Sequence, residues 1–145
     1  MSDVLTLDQV KTPGSAGSKD EAIREAGQLL VDAGAVGPDY IDAMYERETS
    51  VSTYMGNYLA IPHGTNAAKG MISRSALSVV AYDRPIDWDG NQVRFVVGIA
   101  GHEGGHLQIL SRVALVFSDD EQVERLLQAR TAEELLALLG PVNEG

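Results

Sequence analysis

The sequence predicts an α/β fold in which helices cover a central sheet. Three observations carry this. A helical stripe opened by a capping box runs from about residue 18 to 33. Two runs rich in β-branched and aromatic residues follow, Ala76 to Tyr82 and Val93 to Gly101. Helical periodicity then resumes at about His106 and continues through two more capping boxes. Helices therefore lie on both sides of a run of strands.

Taken in order, Val4 to Val10 alternates loosely and reads as a first strand. The stretch KTPGSAGS reads as a loop by its Pro, Gly and Ser content. In Ser18-Lys19-Asp20-Glu21 the serine is a candidate N-cap, with Glu three residues on. Ala22, Ile23, Ala26, Leu29 and Leu30 then recur at helical spacing. Gly34 and Gly37-Pro38 end that helix. A second helix, PDYIDAMYERE, places Tyr40, Ile41, Met44 and Tyr45 on an inner face. TYMGNYLAIPHGT reads as a turn, a short extended apolar run and a second turn. Asp89-Gly90-Asn91 turns the chain between the two main strands. Leu107, Leu110, Val113 and Ala114 form the next helical stripe. Ser118 to Glu121 and Thr131 to Glu134 are capping boxes, each opening a short leucine-containing helix.

Composition narrows the function. At 145 residues, 44% hydrophobic and 22% charged, the chain suits a single domain over 1–145, with flexible ends at 1–3 and 140–145. No apolar run approaches the ~20 residues of a membrane span. The N-terminus lacks a signal-peptide layout, so a cytoplasmic, non-membrane protein is expected. There is no cysteine, which excludes thiolate chemistry and cysteine-based zinc sites. The net charge of −10, without clustered Lys or Arg, argues against nucleic acid. It suits solubility, or attraction to a basic partner protein.

Two stretches carry candidate chemistry. His102-Glu103-Gly104-Gly105-His106 matches the zinc-protease pattern H-E-x-x-H. That pattern works on a helix, where both imidazoles share a face and the Glu activates water. Here both intervening residues are Gly, each costing a helix interior about 1 kcal/mol, and no third histidine follows. His63 has the richer setting. Pro62 stiffens an apolar ledge, Leu59-Ala60-Ile61, and Gly64 leaves space beside the imidazole. Thr65 adds a hydroxyl for the ring or an anion. A turn-capping histidine is the plain alternative. A nucleophilic histidine needs a neutral ring, one nitrogen held as donor and a nearby cation. Arg47, at the end of the preceding helix, is the candidate cation; otherwise it is a solvated helix-end charge.

The run YIDAMYERETSVSTYMGNYLAIPHGT closely resembles the active-site region of the mannitol/fructose-type enzyme IIA of the bacterial phosphoenolpyruvate-dependent sugar phosphotransferase system. The family pattern is an Arg-Glu pair, Thr-Tyr-Leu-Gly-Asn, then Ile-Ala-Ile-Pro-His-Gly-Thr. This chain has Arg47-Glu48, Thr53-Tyr54-Met55-Gly56-Asn57, and Leu59 through Thr65. The stretches KDEAIREAGQLLVDAGAV and VVGIAGHEGGHLQILSRVALVF are also similar to family segments, so the likeness spans roughly residues 4 to 139. It is nearest the mannitol branch. One departure stands out: Tyr58 occupies a position where the family usually has Gly.

The resemblance implies a three-layer α/β fold, a mixed sheet flanked by helices on both faces. It implies that His63 is the phosphoryl acceptor, that His106 is the second active-site histidine and that Arg47 holds the phosphoryl group. Glu48, Asn57 and Thr65 are further candidates. The implied donor is the phosphohistidine carrier HPr, and the implied acceptor is the IIB domain of a mannitol-type permease. No metal or organic cofactor is implied. The H-E-x-x-H match becomes incidental, although His102 could share the role of His106. A regulatory, nitrogen-related IIA paralogue is the alternative within the fold; that branch usually lacks the second histidine. A zinc protease is the remote alternative.

Overall fold

The computed structural model describes residues 4–101 and 105–143; at 66, 67, 69 and 105–107 it describes backbone alone. The elements are β1 (Val10–Lys11), α1 (Lys19–Asp32), α2 (Asp39–Ser50), β2 (Tyr54–Gly56), β3 (Leu59–Ala60), β4 (Ala76–Trp88), β5 (Asn91–Ala100), α3 (Gly105–Ser118), α4 (Asp120–Gln128) and α5 (Ala132–Leu138). The sheet order is β1-β4-β5-β3-β2. β1 runs parallel to β4 and β3 parallel to β5, whereas β4–β5 and β2–β3 are antiparallel. The sheet is therefore mixed.

Alternation along the two long strands makes the three layers. Val80 and Tyr82 of β4 and Val96 and Ala100 of β5 join Ala22, Ile23, Ala26, Leu30 and Met44 from α1 and α2. Leu77, Val79, Phe95, Val97 and Ile99 point the other way and join Val113, Phe117, Leu126 and Leu135 from α3 to α5. Successive strand residues face opposite layers, so a continuous apolar run serves both cores. Where α1 crosses the sheet, small residues let it close in. A Cβ at Gly98 would lie 2.5 Å from the Ser78 hydroxyl, which itself donates to the Ala26 carbonyl at 2.7 Å.

The local signals act as their chemistry requires. The Ser18 hydroxyl accepts from the Glu21 N–H. α1 ends in a Schellman pair, Gly34 N–H to the Val31 carbonyl and Ala35 N–H to the Leu30 carbonyl, with Gly34 at φ +77°. Asp89 and Gly90 both have positive φ, as a two-residue hairpin turn demands. Thr131 caps α5 through the Glu134 N–H.

Four expectations need correction. Val4 to Val10 is no strand: Leu7–Gln9 is a 3-10 turn, and pairing begins only at Val10. The Gln9 amide holds this turn down by donating to the Val4 and Leu77 carbonyls. β4 runs past Tyr82 to Trp88, because the register shifts between Ala81 and Ile86. That irregularity leaves Asp83-Arg84-Pro85 exposed, where Pro85 need not donate to the ladder. The cap of α4 is Asp119, not Ser118, whose hydroxyl donates back to Leu115. At the C-terminal end, Gly140–Asn143 forms a 3-10 turn with Val142 buried, and the Asn143 amide pairs with the backbone of Leu5.

Glu25 anchors the loop above α1. Its carboxylate accepts from Lys11 at 2.7 Å, the Tyr82 hydroxyl at 2.6 Å, the Ser15 hydroxyl at 2.7 Å and the N–H groups of Ser15 and Ala16. Burial alone would raise its pKa, but these donors, Lys11 first, outweigh burial and hold it down at about 2 against an ordinary 4.5. A depressed carboxylate pKa stabilises the fold above 4.5 and loses that contribution as pH falls from there toward 2. Urea unfolding at a series of pH values should therefore show Glu25→Gln less stable than wild type at pH 7. The gap should narrow as pH drops from about 4.5 to 2. A gap independent of pH would show that the charge does not contribute.

Candidate active site

β3 is only two residues long, yet the chain beyond it keeps following β5. Ile99 N–H donates to the Pro62 carbonyl at 3.0 Å, and His63 forms a parallel bridge with Ile99. On the other edge, Ile61 N–H donates to the Thr53 carbonyl at 3.0 Å. Proline suits the position between them, since it has no N–H to satisfy and holds Ile61 extended. His63 thus stands near the carboxyl end of β5, the usual place for sites in α/β sheets.

His63 is 9% exposed, and its Nδ1 lies 2.7 Å from the Ile61 carbonyl. A carbonyl only accepts, so Nδ1 carries the proton and Nε2 keeps its lone pair. Burial lowers the His63 pKa below 6.5. The Ile61 carbonyl and the charge of Glu48 pull it upward, and the charge of Arg47 adds to the lowering. The ring is therefore mostly neutral at pH 7 with its lone pair on Nε2, which meets two of the three requirements for a nucleophilic histidine.

The last turn of α2 meets the third. Arg47 is half-buried there, and its Nη1 donates to the Val51 carbonyl at 2.7 Å. Its neighbour Glu48 is 7% exposed. The Glu48 carboxylate accepts from Thr53 N–H at 3.1 Å, the Thr53 hydroxyl at 2.5 Å and Trp88 Nε1 at 3.1 Å. A buried carboxylate needs this many donors. They tie the end of α2 to Thr53, whose carbonyl in turn receives Ile61.

Tyr40, at the other end of α2, was legible only as an inner-face residue. It is 2% exposed; its hydroxyl donates to the Ile99 carbonyl at 2.8 Å and accepts Gly64 N–H at 2.9 Å. The expectation that Gly64 leaves open space beside the imidazole is corrected. A Cβ there would lie 2.6 Å from the Tyr40 ring, so glycine makes room for tyrosine. Thr65 accepts Ala68 N–H through its carbonyl, starting the 3-10 helix Asn66–Met71. Asn57 donates to the Phe117 carbonyl at 2.7 Å, fastening the β2–β3 hairpin to the end of α3. Tyr58, at the position where the family usually has Gly, adopts a left-handed backbone at φ +67°, after Asn57 at φ +50°. A left-handed tyrosine is strained by about 1–2 kcal/mol.

His106 lies in the first turn of α3, six residues from the helix-facing end of β5 at Ala100; its side chain is outside the described residues. His102 and Glu103 also lie outside them. The first N–H groups of a helix have no partner within it and favour anions. Thr53, Trp88 and the Tyr40 hydroxyl escaped the sequence reading. A tyrosine on an apolar stripe is the one signal available, because a buried phenol must find a partner.

The structure is thus a three-layer mixed α/β fold that holds a buried, tautomer-fixed histidine within the electrostatic reach of an arginine. Residues 3–140 match the family described as the phosphoenolpyruvate-dependent sugar phosphotransferase system, EIIA 2, and the chain belongs to that family. It is 55% identical over 141 residues to the mannitol-specific phosphotransferase enzyme IIA component of Halalkalibacterium halodurans, covering 97% of both chains. The fold is similar to the crystal structure of IIA mannitol from Escherichia coli, with a TM-score of 0.86 and 33% identity over 93% of this chain and 98% of that one. It is also similar to enzyme IIA mannitol from E. coli in its complex with phosphorylated enzyme IIB mannitol. There the TM-score is 0.87, with 32% identity over 94% of this chain and 96% of the other.

The His63 environment has a measurable consequence. In an NMR titration of the free protein, His63 should titrate below 6.5. Arg47→Gln should move that value upward by removing a repelling charge. A titration at or above 6.5 in the wild type would contradict the burial argument.

Proposed function

We propose that this protein is the phosphoryl carrier of a mannitol-type sugar phosphotransferase system, with His63 as acceptor. The observation that carries the assignment of His63 is the Nδ1 contact with the Ile61 carbonyl, which leaves Nε2 as the only nitrogen able to attack. Phospho-HPr docks against the His63 ledge. Nε2 attacks phosphorus in line, and its N–P bond forms as the donor's N–P bond breaks. The ring becomes cationic as it accepts the group, and the Ile61 carbonyl stays bonded to the Nδ1 proton and stabilises that charge. Arg47, His106 and the first N–H groups of α3 stabilise the equatorial phosphoryl oxygens.

The group then passes to the IIB domain of a mannitol-type permease. By the family resemblance the acceptor there is a cysteine, a residue this chain lacks. No described helix is long and apolar enough to cross a membrane; working in the cytoplasm between two protein partners fits that finding. Specificity for mannitol is supported by the named relatives, and the sugar itself is handled by the permease.

Mass spectrometry after incubation with phosphoenolpyruvate, enzyme I and HPr tests the assignment. Wild type should gain one acid-labile phosphoryl group, and His63→Ala none. His106→Ala and Arg47→Gln should label slowly, by about tenfold or more. Adding the IIB domain should discharge the wild-type protein. Failure of wild type to label would overturn the carrier reading.

A further inference from the structure

The parallel pairing of the His63 segment with β5 stops in an unusual way. In a parallel ladder the bonds are evenly spaced and alternate in direction along the partner strand. Ile99 N–H to the Pro62 carbonyl is one rung of the His63–Ile99 bridge. The rung that completes it runs from Gly64 N–H to the Ile99 carbonyl. That rung is interrupted here. Gly64 N–H donates instead to the Tyr40 hydroxyl at 2.9 Å, and the same hydroxyl donates to the Ile99 carbonyl at 2.8 Å. One phenolic oxygen is inserted between the two backbone groups, immediately after His63.

We propose that Tyr40 is a positioning residue for phosphoryl transfer: its hydroxyl is a wedge in the sheet ladder that sets where His63 stands relative to β5 and to Arg47.

Three features support this. The hydroxyl uses its single proton on Ile99 and a lone pair on Gly64, so both backbone groups stay satisfied while held apart. The ring fills the space over Gly64, with the nearest atom 2.6 Å from where a Cβ would be, so the wedge cannot slide. Tyr40 and Arg47 are seven residues apart on α2, two turns along one helix face. The same helix therefore fixes the nucleophile at one end and supplies the cation at the other. Glu48 locks the far end through Thr53 and Trp88. Tyr40 is too buried to touch a partner protein, so it acts only through His63.

The inference rests on the carrier reading, but its structural half can be tested without phosphoryl transfer. Through-hydrogen-bond couplings in an NMR spectrum report which acceptor Gly64 N–H uses. The wild type should show no coupling from Gly64 N to the Ile99 carbonyl. In Tyr40→Phe, which keeps the ring and removes the wedge, that direct coupling should appear as the rung closes. A direct coupling already present in the wild type would overturn the proposal, and this requires no variant to fold. Kinetics supply the functional half. With phospho-HPr as donor, Tyr40→Phe should lower kcat by about tenfold or more, because misplacing a reacting group is expensive. KM should stay within about twofold, because the docking surface is untouched. A folded variant with wild-type kcat, or one changed only in KM, would overturn the positioning role. Wild type that takes no phosphoryl group would instead overturn the carrier reading and leave the NMR result standing.

Discussion

The contact between His63 Nδ1 and the Ile61 carbonyl is the interaction on which the rest of the site depends. It decides which nitrogen holds the proton, and so which one is nucleophilic. It is a local contact, two residues back along the chain, and its geometry is only as firm as the backbone that carries it. That backbone is held from both sides. Thr53 receives Ile61 on one edge, and Ile99 reaches Pro62 on the other. Behind Thr53 stands the buried Glu48 carboxylate, and behind that the fully buried Trp88. Removing one donor from such a buried network leaves the carboxylate short of a hydrogen bond and is costly. The tautomer of one imidazole is therefore secured by residues spread over α2, the segment just before β2, β4 and β5.

Helix α2 gives the arrangement its rigidity. Its stripe of Tyr40, Ile41, Ala43 and Met44 is buried, against α1 and the sheet. Gly27 of α1 permits the close crossing, since a Cβ there would lie 2.8 Å from the Ile41 side chain. Packing against both α1 and the sheet leaves α2 little freedom to shift. A polar site on its solvent-facing end then inherits the precision of the core. The one strained element nearby is the Asn57-Tyr58 turn. Its strain is offset locally: Tyr58 accepts N–H bonds from both Arg94 and Phe95 at 2.9 Å, and Asn57 is fastened to the end of α3.

Much of this was legible in sequence because it rests on short-range chemistry. Ser18 and Thr131 as caps, Gly34 as helix stop, and Asp89-Gly90 as hairpin turn each follow from local rules. The two strands facing both layers were legible as continuous β-branched runs. The misses have a common cause: they are set by tertiary partners. β4 continues through Asp83 to Pro85 because β5 resumes pairing at Ile86. The Val4–Val10 stretch turns because Gln9 finds the carbonyl of Leu77, 68 residues away. At the site, the sequence pointed to His63 and Arg47 through motif and residue type. It could not show that Gly64 exists to admit Tyr40, since that pairing joins residues 24 positions apart on different elements. The mixed sheet also came through resemblance alone, because strand direction leaves no mark in periodicity.

The most direct test of the account is to identify the ring nitrogen that carries the phosphoryl group. The protein would be labelled with 15N-histidine, phosphorylated through HPr, and observed by 15N and 31P NMR. The account predicts a phosphorus coupling to Nε2 of His63, with Nδ1 still protonated and bonded to the Ile61 carbonyl. A phosphoryl group on Nδ1, or on a histidine other than His63, would contradict it.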